Sequence, residues 1–239
     1  MFLIASNLDY KSKDQNSVRI PHKISNQNGI LRLIDKYSFG NQCLLIIAND
    51  PGDYANNDDI AKVLGKAFTM TNRKFKQVKV LDDRTRVEAE QLIENADLIF
   101  MCGGEILRQL EFLQQINFKR LIKNYQGLVI TVSAASMCLT KTICNFPEHE
   151  KELSQPRLLN GLGMVDIKLI PHFDGETLAY QGTSDFPNLV EDYILPLSDD
   201  MDLCALPNGS FILYGEKQLE FFGPYYQINH RKVSKFTNE

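Results

Sequence analysis

The sequence predicts an α/β architecture, a three-layer sandwich with helices on both faces of a mostly parallel sheet. Strand-like segments at 43–48, 77–81, 96–102 and 128–132 alternate with longer segments. Each intervening segment is at least as long as the dozen or so residues that a crossover between parallel strands requires. A chain of 239 residues suits one large domain, residues 1–239, better than two, and its 44% hydrophobic and 23% charged content is ordinary for a globular protein.

Before about residue 40 the chain is polar and weakly periodic, and Ile-Leu-Arg-Leu-Ile at 30–34 is its one apolar cluster, expected as a helix on the sheet. The first clear strand is 43–48, apolar throughout as a strand buried on both faces must be, and Asn49-Asp-Pro-Gly52 breaks it. Asp58 or Asp59 is the expected N-cap of a helix whose Ile60, Val63, Leu64, Ala67 and Phe68 share one face. A second strand at 77–81 precedes a helix over about 85–95 that carries Val87, Leu92 and Ile93. The third strand runs into Gly103-Gly104, after which Ile106, Leu110 and Leu113 trace a helical face. The fourth feeds a helix over 133–139, with Ser133 at the joint. Further on, an apolar segment ends in Leu169-Ile-Pro-His-Phe-Asp174 and a helix is expected at 186–195. Residues 203–214 read as a late hairpin turning on Pro207-Asn-Gly209, with 219–222 extending it.

Lys and Arg number 26 against 30 Asp and Glu, so there is no broad attraction for a phosphate backbone and nucleic acid is not an expected partner. The basic runs 74–79 and 231–235 are short, interrupted and expected to be solvated. No run approaches the roughly 18 to 20 apolar residues of a membrane span. The opening Met-Phe-Leu-Ile-Ala-Ser lacks the basic leader and apolar length of a secretory signal, so a soluble, cytoplasmic protein is expected. Cys43, Cys102, Cys138, Cys144 and Cys204 are odd in number and scattered, as reduced thiols would be, and have no metal-ligand spacing. No metal or cofactor is implied.

Ligands of such folds bind at the carboxyl ends of the strands, where the joints at Gly103-Gly104 and Ser133 both lie. A serine at a tight strand-to-helix corner stands above the sheet, and N–H groups at the helix start can stabilise an oxyanion. The positions two residues either side, which such corners keep small, hold Thr131 and Ala135. On the residues alone, an ordinary helix N-cap is the simpler reading of Ser133. His172, following Pro171 at the end of an apolar segment, is placed for a general base and equally for a structural histidine. His149 reads as surface, and His22 and His230 show no partner.

Four stretches, in their shared order, are more specific than any one alone. They are Cys-Gly-Gly-Glu-Ile-Leu-Arg-Gln-Leu at 102–110, Val-Ile-Thr-Val-Ser-Ala-Ala-Ser at 129–136, Leu162-Gly-Met with Ile170-Pro-His-Phe, and Ala-Leu-Pro-Asn-Gly at 205–209. Together they resemble the peptidase E family of serine peptidases, which includes cyanophycinase and shares the fold of class I glutamine amidotransferases. The resemblance is clearest over 43–215 and implies a flavodoxin-like, class I glutamine amidotransferase-like sheet. It also implies a serine hydrolase that cleaves a small peptide with an acidic amino-terminal residue, for which Arg157 and Lys168 are the conceivable partners.

At the matching positions Ser133 would be the nucleophile and His172 its base. The N–H groups of Gly104 and Ala134 would form the oxyanion hole, with Gly103 and Glu105 beside them. Glu148, 15 positions after the serine, falls where the family has its acid. Asp174 competes with it, because residues two apart on an extended strand point the same way. The sequence departs from the family pattern at Thr131 and Ala135, where glycines are expected, at Glu105, where Asn is expected, and at Ser136, where Ala is expected. A family member that kept the sheet and lost turnover, acting as a binding or regulatory module, is the alternative. Thiol chemistry of the amidotransferase kind is not implied, since the nearest cysteine, Cys138, lies more than a helical turn past the elbow. A homodimer is an allowed assembly.

Overall fold

The computed structural model describes residues 1–38, 40–155 and 157–237. Its centre is a seven-stranded sheet in the order Gln218–Phe222, Phe211–Gly215, Phe2–Ala5, Leu128–Val132, Leu98–Met101, Cys43–Ile47 and Gln77–Leu81. The last five strands run parallel, and the first two add on antiparallel. Alternate residues of a strand face opposite sides. Leu44, Ile46, Leu98 and Phe100 therefore share a core with Ile34, Leu64 and Phe68 of the helices Ile30–Tyr37 and Tyr54–Met70. Leu45, Ile47, Ile99 and Met101 share the opposite core with Ile93, Leu110 and Leu113 of Ala89–Glu94 and Ile106–Gln115. The result is the three-layer α/β sandwich with a mostly parallel sheet that the sequence predicts.

Several elements differ from expectation. Phe2–Ala5, read as an apolar opening and no more, is a central strand, with Leu128–Val132 parallel on one side and Phe211–Gly215 antiparallel on the other. The helix after the first predicted strand begins earlier, at Tyr54, where the Asp53 carboxylate caps Asn56 N–H at 3.3 Å. Asp58 and Asp59 instead pair with Arg84 and Arg19. Val87 is 94% exposed because the chain enters its helix through a 3-10 turn, Arg86–Glu88, that faces water. The expected 186–195 helix forms only from Val190, as a π turn continued by Leu195–Leu197.

The late hairpin is displaced. Leu203–Leu206 and Phe211–Gly215 do not pair with each other, because Pro207-Asn-Gly-Ser210 carries the chain from one sheet to another. Leu203–Leu206 joins a four-stranded sheet between Leu169–Pro171 and Pro224–Asn229, with Lys232–Thr237 beyond. The actual hairpin is Phe211–Gly215 with Gln218–Phe222, turned by Glu216 and Lys217 at φ 51° and 63°. Two successive positive φ values give the strand-matching turn that Asn-Gly normally signals.

The smaller sheet is tied to the carboxyl end of Phe2–Ala5. Ser6 Oγ donates to Leu206 O at 2.7 Å and accepts from His172 N–H at 3.1 Å. This pair of bonds brings His172 to the edge where the parallel strands end.

Candidate active site

The Leu128–Val132 strand is wholly buried and meets the helix Ala134–Cys138 with one residue between them, so that residue alone turns the chain. Ser133 does so at φ 53° and ψ −122°. Glycine is the norm at such angles, and a non-glycine residue held there costs roughly 1–3 kcal/mol. The hydroxyl makes no capping bond to the helix, so the N-cap reading does not describe its use. Neighbouring bonds hold the turn instead. Ser133 N–H donates to Ala5 O at 3.0 Å, and Met137 N–H donates to Ser133 O at 3.1 Å. Thr131 Oγ1 and Ser136 Oγ lie 2.9 Å apart, and Ser136 Oγ donates to Ala5 O at 2.8 Å. The residues at 131 and 136 that depart from the family pattern are thus buried hydroxyls that tie the elbow to the adjoining strand.

Gly103 lies directly against this elbow. A Cβ on it would stand 2.8 Å from Ser133 Cβ and 2.9 Å from Val132 O. Gly104, at φ 152°, leaves room that a Cβ would take from the Asn49 side-chain oxygen. Asn49 holds the glycine loop, since its Oδ1 accepts from Glu105 N–H at 2.9 Å and its Nδ2 donates to Glu105 O at 3.1 Å and Gln109 Oε1 at 3.2 Å. Gln109 in turn donates to Cys102 O at 2.6 Å. Sequence reasoning missed both residues. The signal for Asn49 was a polar residue at the carboxyl end of a buried strand, read only as a breaker.

Among the described residues, the N–H groups of Gly104 and Ala134 have no protein acceptor. Both residues line, with Ser133, a small cavity of about 30 Å³. Glu105 lines it too, and its carboxylate lies 3.0 Å from Arg108 Nε, a guanidinium that it shares with Asp50. Glu148 and Glu152 complete the acidic part of the wall. No Lys or Arg is among the described lining residues. Arg157 stacks over the Tyr193 ring instead, 5.2 Å from its centroid.

His172, itself at φ 59°, places Nδ1 2.7 Å from Asn208 Oδ1 and presents its ring edge-to-face to Tyr180 at 5.8 Å. Burial lowers its pKa and the Asn208 bond partly opposes this, so the ring is neutral at pH 7. Among the described residues it makes no hydrogen bond to Ser133.

Neither expected acid reaches the imidazole. The Glu148 carboxylate accepts from the Tyr180 hydroxyl. Asp174 closes its own turn, accepting from Glu176 N–H at 3.0 Å and Thr177 Oγ1 at 2.9 Å. The two-residue alternation that favoured Asp174 presumes an extended chain, and the positive φ of His172 interrupts it. His149 pairs with Asp185 at 3.2 Å, and His22, expected to be unpartnered, lies 3.3 Å from Asp9.

Burial raises the Glu148 carboxyl above its ordinary value, and the bond from Tyr180 opposes the rise. An acid whose pKa is raised on folding holds its proton more tightly in the folded state. Stability is therefore lost as pH climbs from the unfolded-state value through the raised folded value. Glu148→Gln, which keeps an oxygen for Tyr180, is expected to gain thermal midpoint relative to the parent as pH rises from about 4 to 7. Parallel melting curves for the two proteins across that range would show that the carboxylate ionises without cost.

Burial also pushes the Cys102 and Cys138 thiols up to about 12, which leaves no thiolate near the elbow at neutral pH. Among the described residues no cluster of three or more His, Cys, Asp or Glu could hold a metal ion, and no helix is long and apolar enough to cross a membrane.

Residues 51–222 match the sequence model of peptidase family S51. No curated protein sequence matches the chain. Among solved structures, the fold is similar to that of a candidate peptidase E from Listeria monocytogenes EGD-e. The identity is 13% and the TM-score 0.57, with 92% of this chain and 96% of that chain covered.

Proposed function

The chain belongs to peptidase family S51, a family of peptidase-type hydrolases, and from that membership we propose that it cleaves a peptide bond of a small peptide through an acyl-enzyme on Ser133. The observation that carries this reading is the conformation of Ser133. A strained serine, with its hydroxyl unspent on the helix, lines one cavity with two unpaired N–H groups.

In the proposed reaction Ser133 Oγ attacks the carbonyl carbon as its proton passes to His172 Nε2. The carbonyl oxygen becomes the oxyanion and accepts from Gly104 and Ala134 N–H. The C–N bond then breaks, the leaving amine takes the proton from His172, and water repeats the sequence on the acyl-enzyme. The step requires His172 to draw within hydrogen-bond reach of Ser133, and such bonds commonly tighten only once substrate is bound. With no Lys or Arg among the described lining residues, a preference for an acidic amino-terminal residue is not part of the proposal.

A binding module without turnover is the second reading, and Glu105 favours it. A carboxylate on the wall of this cavity repels a developing oxyanion, an effect that Arg108, shared with Asp50, offsets in part. A small fluorophosphonate read by intact mass separates the two. One phosphonyl group per chain is expected, absent in Ser133→Ala and His172→Ala. Folded protein that stays unlabelled at saturating probe would favour the binding module.

A further inference from the structure

We propose that Asn208 is the positioning residue of His172, an uncharged amide in the place where a carboxylate orients the imidazole in most serine hydrolases. Its catalytic meaning rests on the serine reading above, but the assignment of the bond and of the proton does not.

The contact is direct, with 2.7 Å between Asn208 Oδ1 and His172 Nδ1. An amide oxygen can only accept, so Nδ1 carries the proton. A neutral imidazole has one N–H, which leaves the Nε2 lone pair free to take a proton from a hydroxyl.

The backbone that carries this side chain is held from two directions. Asn208 N–H donates to Gln181 Oε1 at 2.7 Å, and Gly209 N–H donates to Asn7 Oδ1 at 3.1 Å. Gln181 N–H donates to His172 O at 2.6 Å, so histidine, glutamine and asparagine close a ring of bonds. The segment bearing Asn208 crosses between the two sheets and turns no hairpin, which places the amide over the end of Leu169–Pro171 where His172 begins.

Other groups facing the ring are accounted for. Ser6 Oγ accepts from the backbone N–H of His172, not from the ring, and donates to Leu206 O. Tyr180 presents its ring and gives its hydroxyl to Glu148, and Asp174 is occupied in its own turn. Among the described residues no carboxylate is bonded to the imidazole.

A neutral partner fixes tautomer and direction without stabilising the imidazolium by charge, so replacing it with a carboxylate should move the titration of His172 upward. The test is proton–nitrogen NMR of the histidine rings in the full chain, with the His172 signals identified from His172→Gln. In the parent protein Nδ1 is expected to be protonated and Nε2 not. In Asn208→Asp the His172 midpoint is expected to rise by about one pH unit or more. The pH profile of fluorophosphonate labelling should move with it, and Asn208→Ala should label at least about tenfold more slowly.

A parent ring protonated at Nε2, or a midpoint indifferent to Asn208→Asp, would overturn the assignment. The first readout needs no variant at position 208 and so does not depend on how well one folds. A parent protein that never labels but shows the expected tautomer and shift would end the serine reading and leave the positioning role standing.

Discussion

Ser133→Ala is expected to cut peptide hydrolysis by about 10³-fold or more while leaving the thermal midpoint where it was. Alanine removes the oxygen proposed to attack and little else. The hydroxyl makes no capping bond, and the backbone bonds to Ala5 and from Met137 do not involve the side chain. Alanine also inherits the strain, because its Cβ meets the same obstruction at φ 53°.

Ser133→Gly should lose hydrolysis equally but gain stability. Relief of roughly 1–3 kcal/mol of strain outweighs the roughly 0.5–1 kcal/mol that glycine loses to chain entropy. A net gain near 1 kcal/mol corresponds to a rise of about 2–4 °C in a chain of this size. Turnover of a peptide panel and calorimetry on the three proteins check both halves. Hydrolysis that survives in Ser133→Ala would remove the serine from the mechanism. A glycine variant less stable than the alanine variant by roughly 0.5–1 kcal/mol, the entropy loss alone, would show that the turn stores no strain.

The parts of this fold legible in the sequence are those whose local pattern and tertiary use coincide. Cys43–Ile47 and Leu128–Val132 are buried on both faces, so continuous apolar runs announce them wherever they pair. Phe2–Ala5 is just as central, but it is four residues long and opens a polar stretch. Its partners lie more than a hundred residues away, at Val129 and Tyr214 for Phe2. Nothing local distinguishes such a run from a loose end.

The Asn-Gly pair at 208–209 misled for a related reason. It is the strongest short-range hairpin signal, yet the flanking strands belong to different sheets and the asparagine is spent on His172. Glu216 and Lys217, with no propensity for the task, make the turn instead because the pairing of Phe211–Gly215 with Gln218–Phe222 holds them there.

At the candidate site, the positions of Ser133, Gly103 and Gly104 could be read from residue types at strand ends. Which side chain meets the imidazole could not, since spacing and resemblance pointed to Glu148 or Asp174, whereas the packing of the smaller sheet brings Asn208 there and leaves both acids on other partners.

Gly103→Ala tests whether the two joints form one site. The substitution is expected to slow fluorophosphonate labelling by about 10²-fold and to cost roughly 1–3 kcal/mol. Gly103 is not among the glycines with positive φ, so alanine is acceptable to its backbone and the effect comes from volume alone. That volume is contested by Ser133 Cβ at 2.8 Å and Val132 O at 2.9 Å. A flexible side chain could swing away, but one obstacle is a main-chain oxygen and the other is the first atom of the Ser133 side chain. Val132 is the last residue of a buried strand, so relaxation must fall on the elbow or on the glycine loop. Either movement alters the spacing between Ser133 Oγ and the N–H groups of Gly104 and Ala134, and a displacement near 1 Å is enough to remove about two orders of magnitude from the reaction.

Gly52→Ala is the matching control. Its added carbon would meet only the Asp50 carboxylate at 3.6 Å, an ordinary contact, and should leave both stability and labelling near the parent values. If Gly103→Ala labels at the parent rate while losing stability, the glycine loop packs against the elbow without serving it. The oxyanion donors would then have to be sought elsewhere on the helix that starts at Ala134.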